Sequence, residues 1–263
     1  MEKRDITEDT TSDPLADPLS RSTERLAQTP RAKRNVDHLS RPGALPPAPG
    51  RLRAVLFRSV WFPTVLLTIL AVLTEQVLTN GPLLAVDRWT RDTVQGWVAA
   101  DPWSWTNSLA EYWTDLGLAT YSGTVLALTA LTATTRTRSW RPLSAALLAA
   151  LALFGTVIPG KILIGRPGPE GAPVASGDWG WFPSGHTATA SICLGTAALI
   201  LCRAWPGLRR VIYPLTAFLC TGVGACLIWR DYHWLWDVVA SGCLTGIVLW
   251  CLSRWILRTD PSV

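Results

Sequence analysis

The chain has 263 residues, of which 49% are hydrophobic and only 16% are charged. A water-soluble domain of this size normally has about 25% charged residues, so the composition excludes an ordinary soluble enzyme and favours a membrane protein. The net charge of +5 does not indicate a nucleic-acid-binding protein, because the basic residues lie in short clusters between apolar runs.

The chain begins with a polar segment, 1–50, which is rich in Pro, Ser, Thr, Asp and Arg and has no aromatic residue. Such a segment cannot bury enough apolar surface to offset its ordering entropy, so we predict a disordered tail. Six apolar runs follow, each near the 20 residues that a helix needs to cross a bilayer. The runs are 56–78, 116–135, 142–161, 186–204, 210–229 and 235–256. The sequence therefore predicts an all-α bundle of six transmembrane helices over 51–258, followed by a short tail, 259–263.

The segment between the first two runs, 79–115, combines five tryptophans with scattered charges. Tryptophan prefers the membrane–water boundary, which predicts interfacial helices here. Arginines collect before the first span, after the second, after the fourth and after the sixth. Because cytoplasmic loops are enriched in basic residues, this pattern predicts a multi-pass cell-membrane protein with both termini in the cytoplasm. The loops 79–115, 162–185 and 230–234 then face outward.

The histidines and lysines outside the polar segment collect at this outer face. His186, His233 and Lys161 fall at the outer ends of the predicted fourth, sixth and third spans. Titratable groups at a membrane boundary are costly, and they are usually functional or paired. A lone lysine there could simply extend to the lipid headgroups, but three such groups predict a site.

The sequence Pro183-Ser184-Gly185-His186 precedes an apolar run and is typical of a helix start. Free backbone N–H groups and the positive end of the helix dipole favour an anion such as phosphate there. Gly185 lets an oxygen approach the backbone, and His186 could donate a proton to a leaving oxygen. The alternative is an ordinary helix cap followed by an interfacial histidine.

A second pattern pairs His233 with Asp237, which share a helix face because they are four residues apart. The carboxylate would accept a hydrogen bond from one ring nitrogen and leave the other as a nucleophile, although such a spacing also arises by chance. Lys161 and Arg166, at the end of the third span, could hold phosphate oxygens. A basic pair on the outer side opposes the orientation trend, which favours this function over a stop-transfer role.

Together these stretches resemble the signature of the type 2 phosphatidic acid phosphatase (PAP2) superfamily of integral-membrane lipid phosphatases, over roughly 115–255. That signature is Lys-x6-Arg-Pro, then Pro-Ser-Gly-His, then Ser-Arg-x5-His-x3-Asp, and the middle motif matches completely. The resemblance implies that His233 is the nucleophile and forms a phosphohistidine. It also implies that Asp237 orients His233 and that His186 donates a proton to the leaving group.

The resemblance further implies that Lys161 and the backbone of Ser184 and Gly185 bind the phosphate, and that no metal or other cofactor takes part. Glu170 and Asp178 lie in the loop between the first two motifs and could instead bind a metal with the histidines. Two carboxylates in such a loop are more simply explained as solvated residues.

Two departures concern the arginines of the family signature. Gly168 stands where the first arginine is expected, and Leu227 stands where the second is expected. Arg166 lies two residues before the first vacancy, and Arg230 lies three residues after the second. We expect these two arginines to reach the phosphate from displaced positions.

The expected function is hydrolysis of a lipid phosphate at the outer face, with phosphatidic acid, phosphatidylglycerol phosphate and polyprenyl diphosphate as candidate substrates. One alternative is a phosphotransferase that passes the phosphoryl group to another acceptor. Another is a catalytically decayed family member that binds lipid phosphates, which the displaced arginines favour. A transporter has little support, because no predicted span has a charged residue near its middle.

Overall fold

The computed structural model describes residues 49–171, 174 and 178–258, and the regular structure in these residues is entirely helical. The chain divides into two compact units, Met1–Phe57 and Arg58–Val263, and the site lies within the second. The predicted tails 1–50 and 259–263 fall outside the described residues, except for Pro49 and Gly50. The eight α-helices are α1 (Pro49–Thr79), α2 (Leu84–Ala100), α3 (Ser104–Thr114), α4 (Thr124–Thr137), α5 (Arg141–Ile164), α6 (Gly185–Ala204), α7 (Arg209–Trp229) and α8 (Leu235–Arg258).

Five helical segments of the described chain are long and apolar enough to cross a membrane, and a bent pair raises the number to six. The prediction of an all-α bundle of six spans is confirmed. The predicted third to sixth spans agree with α5, α6, α7 and α8 to within three residues at each end. Apolar run length therefore located these helices well, because the bilayer requires the same length of every span.

The second span differs from its prediction as one continuous run, 116–135. A 3-10 turn, Asp115–Gly117, and a π-helical turn, Ala119–Gly123, precede α4. Leu118 between them is extended (φ −75°, ψ 139°), and the chain bends by 52° here. The break lets this segment approach the start of α6.

Helix α6 is the centre of the bundle. In its most apolar stretch of 18 residues, 67% is buried inside the structure. In the corresponding stretch of each other unbroken span, at most 33% is buried. It packs against α4, α5, α7 and α8. Fully buried alanines line these contacts and let the backbones approach closely: Ala130, Ala133, Ala145, Ala149 and Ala188. The first residues of α6 are thus held in place by its neighbours.

Helices α2 and α3 occupy the segment for which interfacial helices were predicted, although α3 also belongs to the first half of the bent pair that is counted as the sixth span. Both expose tryptophan side chains, as expected for residues that face lipid headgroups: Trp89, Trp97 and Trp105. Helix α2 is fastened to the turn between α7 and α8 by an ion pair between Arg91 and Asp231, at 2.6 Å. The indole N–H of Trp236 also donates to the carbonyl of Leu83, at 2.8 Å. The α2 helix therefore covers the start of α8.

Candidate active site

The start of α6 combines a tight cap with unused backbone donors. The buried Ser184 hydroxyl accepts a hydrogen bond from the Thr187 N–H, at 3.3 Å. The Ser184 N–H itself donates to the Asp237 carbonyl, at 3.2 Å, and so ties α6 to α8. Within the described part of the chain, the N–H groups of Gly185 and His186 donate to no other group. These two donors and the helix dipole are the features that the predicted anion site would use, whereas the Ser184 N–H is already engaged.

Lys161 lies beside this helix start. Its ammonium donates to the Gly180 carbonyl at 2.8 Å, and a Cβ added to Gly185 would lie 3.2 Å from Lys161 Cε. The loop returns to the end of α5 through the Gly180 N–H, which donates to the Lys161 carbonyl at 3.2 Å. The loop therefore keeps a positive charge next to the free donors of α6.

His233 and Asp237 are in contact at the turn that begins α8. The ring Nδ1 of His233 lies 3.2 Å from Asp237 Oδ2, which also accepts the backbone N–H of Trp234 at 3.3 Å. Asp237 is completely buried, and His233 is 7% exposed. An ionised carboxylate can only accept, so in a neutral ring this contact favours the tautomer with the proton on Nδ1 and a lone pair on Nε2.

Arg166 does not lie on the wall of the cavity beside the histidines. Its guanidinium donates through Nη1 to Asp237 Oδ1 and through Nη2 to Asp87 Oδ2, both at 2.5 Å. It also lies over the Trp234 ring, 5.2 Å from the centroid. Arg166 and Asp87 line a separate cavity of about 340 Å³ to which neither imidazole contributes. These contacts favour a structural partnership with Asp237 over the predicted contact with phosphate, because both arms of the guanidinium already hold carboxylates.

Asp87, on the first turn of α2, was not identified from the sequence. It is 1% exposed, and its Oδ1 accepts the backbone N–H of Trp236 at 2.9 Å. An acidic residue in the first turn of a helix is ordinary, since it complements the helix dipole. The weak signal was its place directly after the apolar residues Leu84, Ala85 and Val86.

Arg230 does not line the cavity beside the histidines either, but its partners Glu111 and Tyr232 do. Its Nε donates to Glu111 at 2.8 Å, and its Nη2 donates to the Tyr232 hydroxyl at 3.3 Å. The Arg230 side chain is 31% exposed. Unlike the side chain of Arg166, it is partly accessible to solvent.

His186 and His233 line the same cavity, which has a volume of about 360 Å³. Its walls also include Leu227, Trp181, Tyr232 and four carboxylate side chains: Glu111, Asp115, Glu170 and Asp231. Two of the four are paired, Glu111 with Arg230 and Asp231 with Arg91. Asp178, considered above as a metal ligand, is exposed and does not line the cavity. Two imidazoles on one cavity can act as nucleophile and proton donor on the same bound group.

Gly117 is a residue of this site that sequence reasoning missed. A Cβ on Gly117 would lie 2.5 Å from the Cβ and 2.8 Å from the Cα of His186, so no side chain fits there. We expect Gly117→Ala to displace His186 and to reduce activity by about 100-fold, since a misplacement of about 1 Å has that effect. Activity measured beside Gly123→Ala checks this, because Gly123 has open space around it. Equal activities of the two variants would contradict the close approach.

Three comparisons place these observations among known proteins. A model of the PAP2 superfamily matches residues 139–260. A lipid A 1-phosphatase from Porphyromonas gingivalis is 32% identical over 131 residues, which cover 48% of this chain and 27% of that protein. The chain thus matches about a quarter of that relative's length. In the crystal structure of a transmembrane PAP2-type phosphatidylglycerolphosphate phosphatase from Bacillus subtilis, the whole chain matches 78% of this one, with a TM-score of 0.67 and 18% identity. This likeness concerns the fold.

Proposed function

We propose that the chain is a member of the PAP2 superfamily and a membrane phosphatase that removes phosphate from a lipid, which the match of the family model to residues 139–260 supports. The observation that carries this proposal is the shared cavity of His186 and His233, which come from different elements. Asp237 lies behind His233 as an acceptor for its Nδ1 proton. Phosphoryl transfer through a histidine uses both imidazoles at one phosphorus, with the carboxylate behind the nucleophilic ring.

In the first step, the Nε2 lone pair of His233 attacks phosphorus, and the bond from phosphorus to the leaving oxygen breaks. His186, in its protonated form, gives its proton to that leaving oxygen. The products are a phosphohistidine at His233, the dephosphorylated lipid and a neutral His186. Asp237 stabilises the positive charge that develops on the His233 ring as the N–P bond forms.

In the second step, the neutral His186 accepts a proton from a water molecule while that water attacks the phosphohistidine. The N–P bond breaks, inorganic phosphate is released, and His186 is again protonated. His233 recovers its Nε2 lone pair with Nδ1 still bound to Asp237. The cycle therefore needs one neutral and one protonated imidazole at its start.

The anion site at the start of α6 would hold the nonbridging oxygens of the phosphate. The N–H groups of Gly185 and His186 point to this role because they have no other acceptor in the described chain. Lys161 supplies the adjacent charge, and Arg230 would exchange Glu111 for phosphate. Donors aimed at the phosphoryl oxygens lower the barrier by neutralising charge in the transition state.

The proposed substrate is a phosphomonoester or diphosphate of a lipid in the outer leaflet. Phosphatidic acid, phosphatidylglycerol phosphate and polyprenyl diphosphate are candidates, and the relative from P. gingivalis adds a lipid A 1-phosphate. Exposed tryptophans on α2 and α3 are suited to a site at headgroup depth. If the site faces outward and the chain crosses the membrane six times, both termini lie in the cytoplasm. The proposed reaction uses no metal.

The experiment that tests the proposal offers these four lipids to the purified protein in detergent with EDTA and measures released phosphate. We expect hydrolysis of at least one lipid, and an unchanged rate for the His38→Ala control, which alters the histidine outside the membrane domain. Transfer of phosphate to another lipid in place of release would favour the phosphotransferase. Lipid binding without turnover would favour the decayed member.

The substitution His186→Ala is expected to act according to the leaving group. An alkoxide leaving group needs a proton, so release of the lipid alcohol from a monoester should slow by about 10²- to 10⁴-fold. When the substrate is a lipid diphosphate, the leaving group is the lipid monophosphate, whose negative charge is already stabilised. The first step with this substrate should therefore slow much less. Single-turnover release of the leaving lipid measures this step, and equal losses for both substrate types would contradict the assignment of His186 as proton donor.

A further inference from the structure

A buried chain of charges extends from α2 to the nucleophile. Asp87 contacts Arg166, Arg166 contacts Asp237, and Asp237 contacts His233. All four side chains are less than 10% exposed. The first of them, Asp87, lies outside the residues 139–260 that match the family model. None of the motifs identified in the sequence includes it.

We propose that Asp87 is a positioning residue for the phosphatase reaction, and that it acts through Arg166 on Asp237 to keep the proton of His233 on Nδ1. This inference rests on the proposed function in one respect only, namely the effect on turnover. Its effect on the tautomer of His233 is independent of which lipid is hydrolysed.

The hydrogen bonds of Asp87 support this role. One oxygen accepts Arg166 Nη2, and the other accepts the backbone N–H of Trp236. Trp236 directly precedes Asp237, so a single carboxylate fixes both the side chain that holds Asp237 and the backbone that carries it. Side chains locked by neighbouring hydrogen bonds keep a site in its productive geometry.

The charges point to the same role. If Arg166 had Asp237 as its sole carboxylate partner, one guanidinium charge would fully compensate one carboxylate. Asp87 shares that charge, so Asp237 keeps negative charge for the ring of His233. Charge-assisted hydrogen bonds are about twice as strong as neutral ones, so this sharing favours the Nδ1–H tautomer and the cationic phosphohistidine.

The local backbone explains why Arg166 reaches the carboxylates. It follows Gly165, whose left-handed conformation (φ 58°) ends α5. Gly180 packs against the same turn. A Cβ added to Gly180 would lie 2.7 Å from the backbone nitrogen of Arg166. The Trp234 ring, 5.2 Å from the guanidinium, covers it from another side. The two-residue displacement of this arginine from the family spacing therefore coincides with a different set of partners.

The pH dependence of this effect has a definite sign. Burial raises the pKa of the Asp87 carboxyl above its ordinary value, although its contacts with Arg166 oppose the shift. The charged groups around Asp87 are Arg166 and Asp237, with Arg88 on the same helix lining the same cavity. When the pH falls through this pKa, the carboxyl takes up a proton and comes to resemble asparagine.

The test compares Asp87→Asn with wild type and with Asp92→Asn, the same substitution at an exposed position of α2. We expect Asp87→Asn to lower kcat by about 10- to 100-fold with little change in KM. The ratio of wild-type to variant kcat should be largest at neutral pH and should approach one on the acid side. A phosphate-binding role for Arg166 would instead appear in KM.

A second measurement does not depend on turnover. Magic-angle-spinning NMR of ¹⁵N-histidine-labelled protein in lipid bilayers reports the tautomer of His233, assigned by comparison with a His233→Ala sample. We expect the Nδ1–H form in wild type and in Asp92→Asn, and a mixture in Asp87→Asn.

The smaller Asp87→Ser is a second carboxylate-free variant should the asparagine fail to fold. An unchanged tautomer, or a kcat ratio that does not vary with pH, overturns the inference even if the enzyme is an active phosphatase. A protein without phosphatase activity in which the tautomer shifts would refute the proposed function alone.

Discussion

Replacing His233 by alanine is expected to lower phosphate release by about 10⁴-fold or more, the largest effect of any single substitution in this chain. Removing a catalytic nucleophile has effects of this size elsewhere. The physical reason is that no other described side chain on the cavity presents an imidazole lone pair backed by a buried carboxylate. Initial rates with the best lipid of the panel, measured with wild type alongside, check the expectation.

Trapping the intermediate separates the roles of the two histidines. A lipid diphosphate labelled on its terminal phosphate should leave label on the protein, in a form stable to base and labile to acid, as phosphohistidine is. His186→Ala should accumulate this label, because it lacks the base that activates water for the second step. His233→Ala should carry none. Label retained by His233→Ala would refute His233 as the nucleophile.

The substitution Asp237→Asn also has a large expected effect, a fall in kcat of about 10²- to 10⁴-fold with little change in KM. The amide of asparagine can donate to His233 Nδ1, which moves the ring proton to Nε2 and removes the nucleophilic lone pair; the equivalent change in serine proteases lowers kcat by about 10⁴-fold. Kinetics with the best lipid would measure the split between kcat and KM. A wild-type kcat in this variant would contradict the assigned role.

Asp237→Asn should also destabilise the protein, since Arg166 loses one of two carboxylate partners in a buried environment. Breaking a buried pair typically costs about 3–5 kcal/mol. Thermal unfolding in detergent should therefore show a lower midpoint than for Asp92→Asn. Kinetics measured well below both midpoints keep the catalytic loss distinct from the loss of folded protein.

Much of the fold could be predicted because the bilayer imposes one length on every span. The predicted spans that correspond to α5 and α8 were recognisable from their hydropathy and from the helix-breaking residues beside them. The broken second span was not, because neither Gly117 nor Leu118 is a strong helix breaker in an apolar run. Its bend coincides with the close approach of Gly117 to His186, which is a tertiary contact.

The contacts within the candidate site were predictable where the residues are close in sequence. His233 and Asp237 are one helical turn apart, and Ser184 caps the helix that carries His186, so short spacing was informative. The partners of Arg166 were not predictable, because Asp87 and Asp237 lie 79 and 71 residues away in the chain. The same spacing that showed Arg166 to be displaced could not show which anion it would meet.

The contact between Asp87 and Arg166 has a consequence for exchanging parts between relatives. A chimera that joined residues 139–260 to foreign outer helices would keep every motif residue. It would nevertheless leave the Arg166 guanidinium with one anionic neighbour in a buried setting, and the Trp236 N–H without its acceptor. The smallest transplantable unit of this chain therefore extends at least to α2, well beyond the segment that carries its signature.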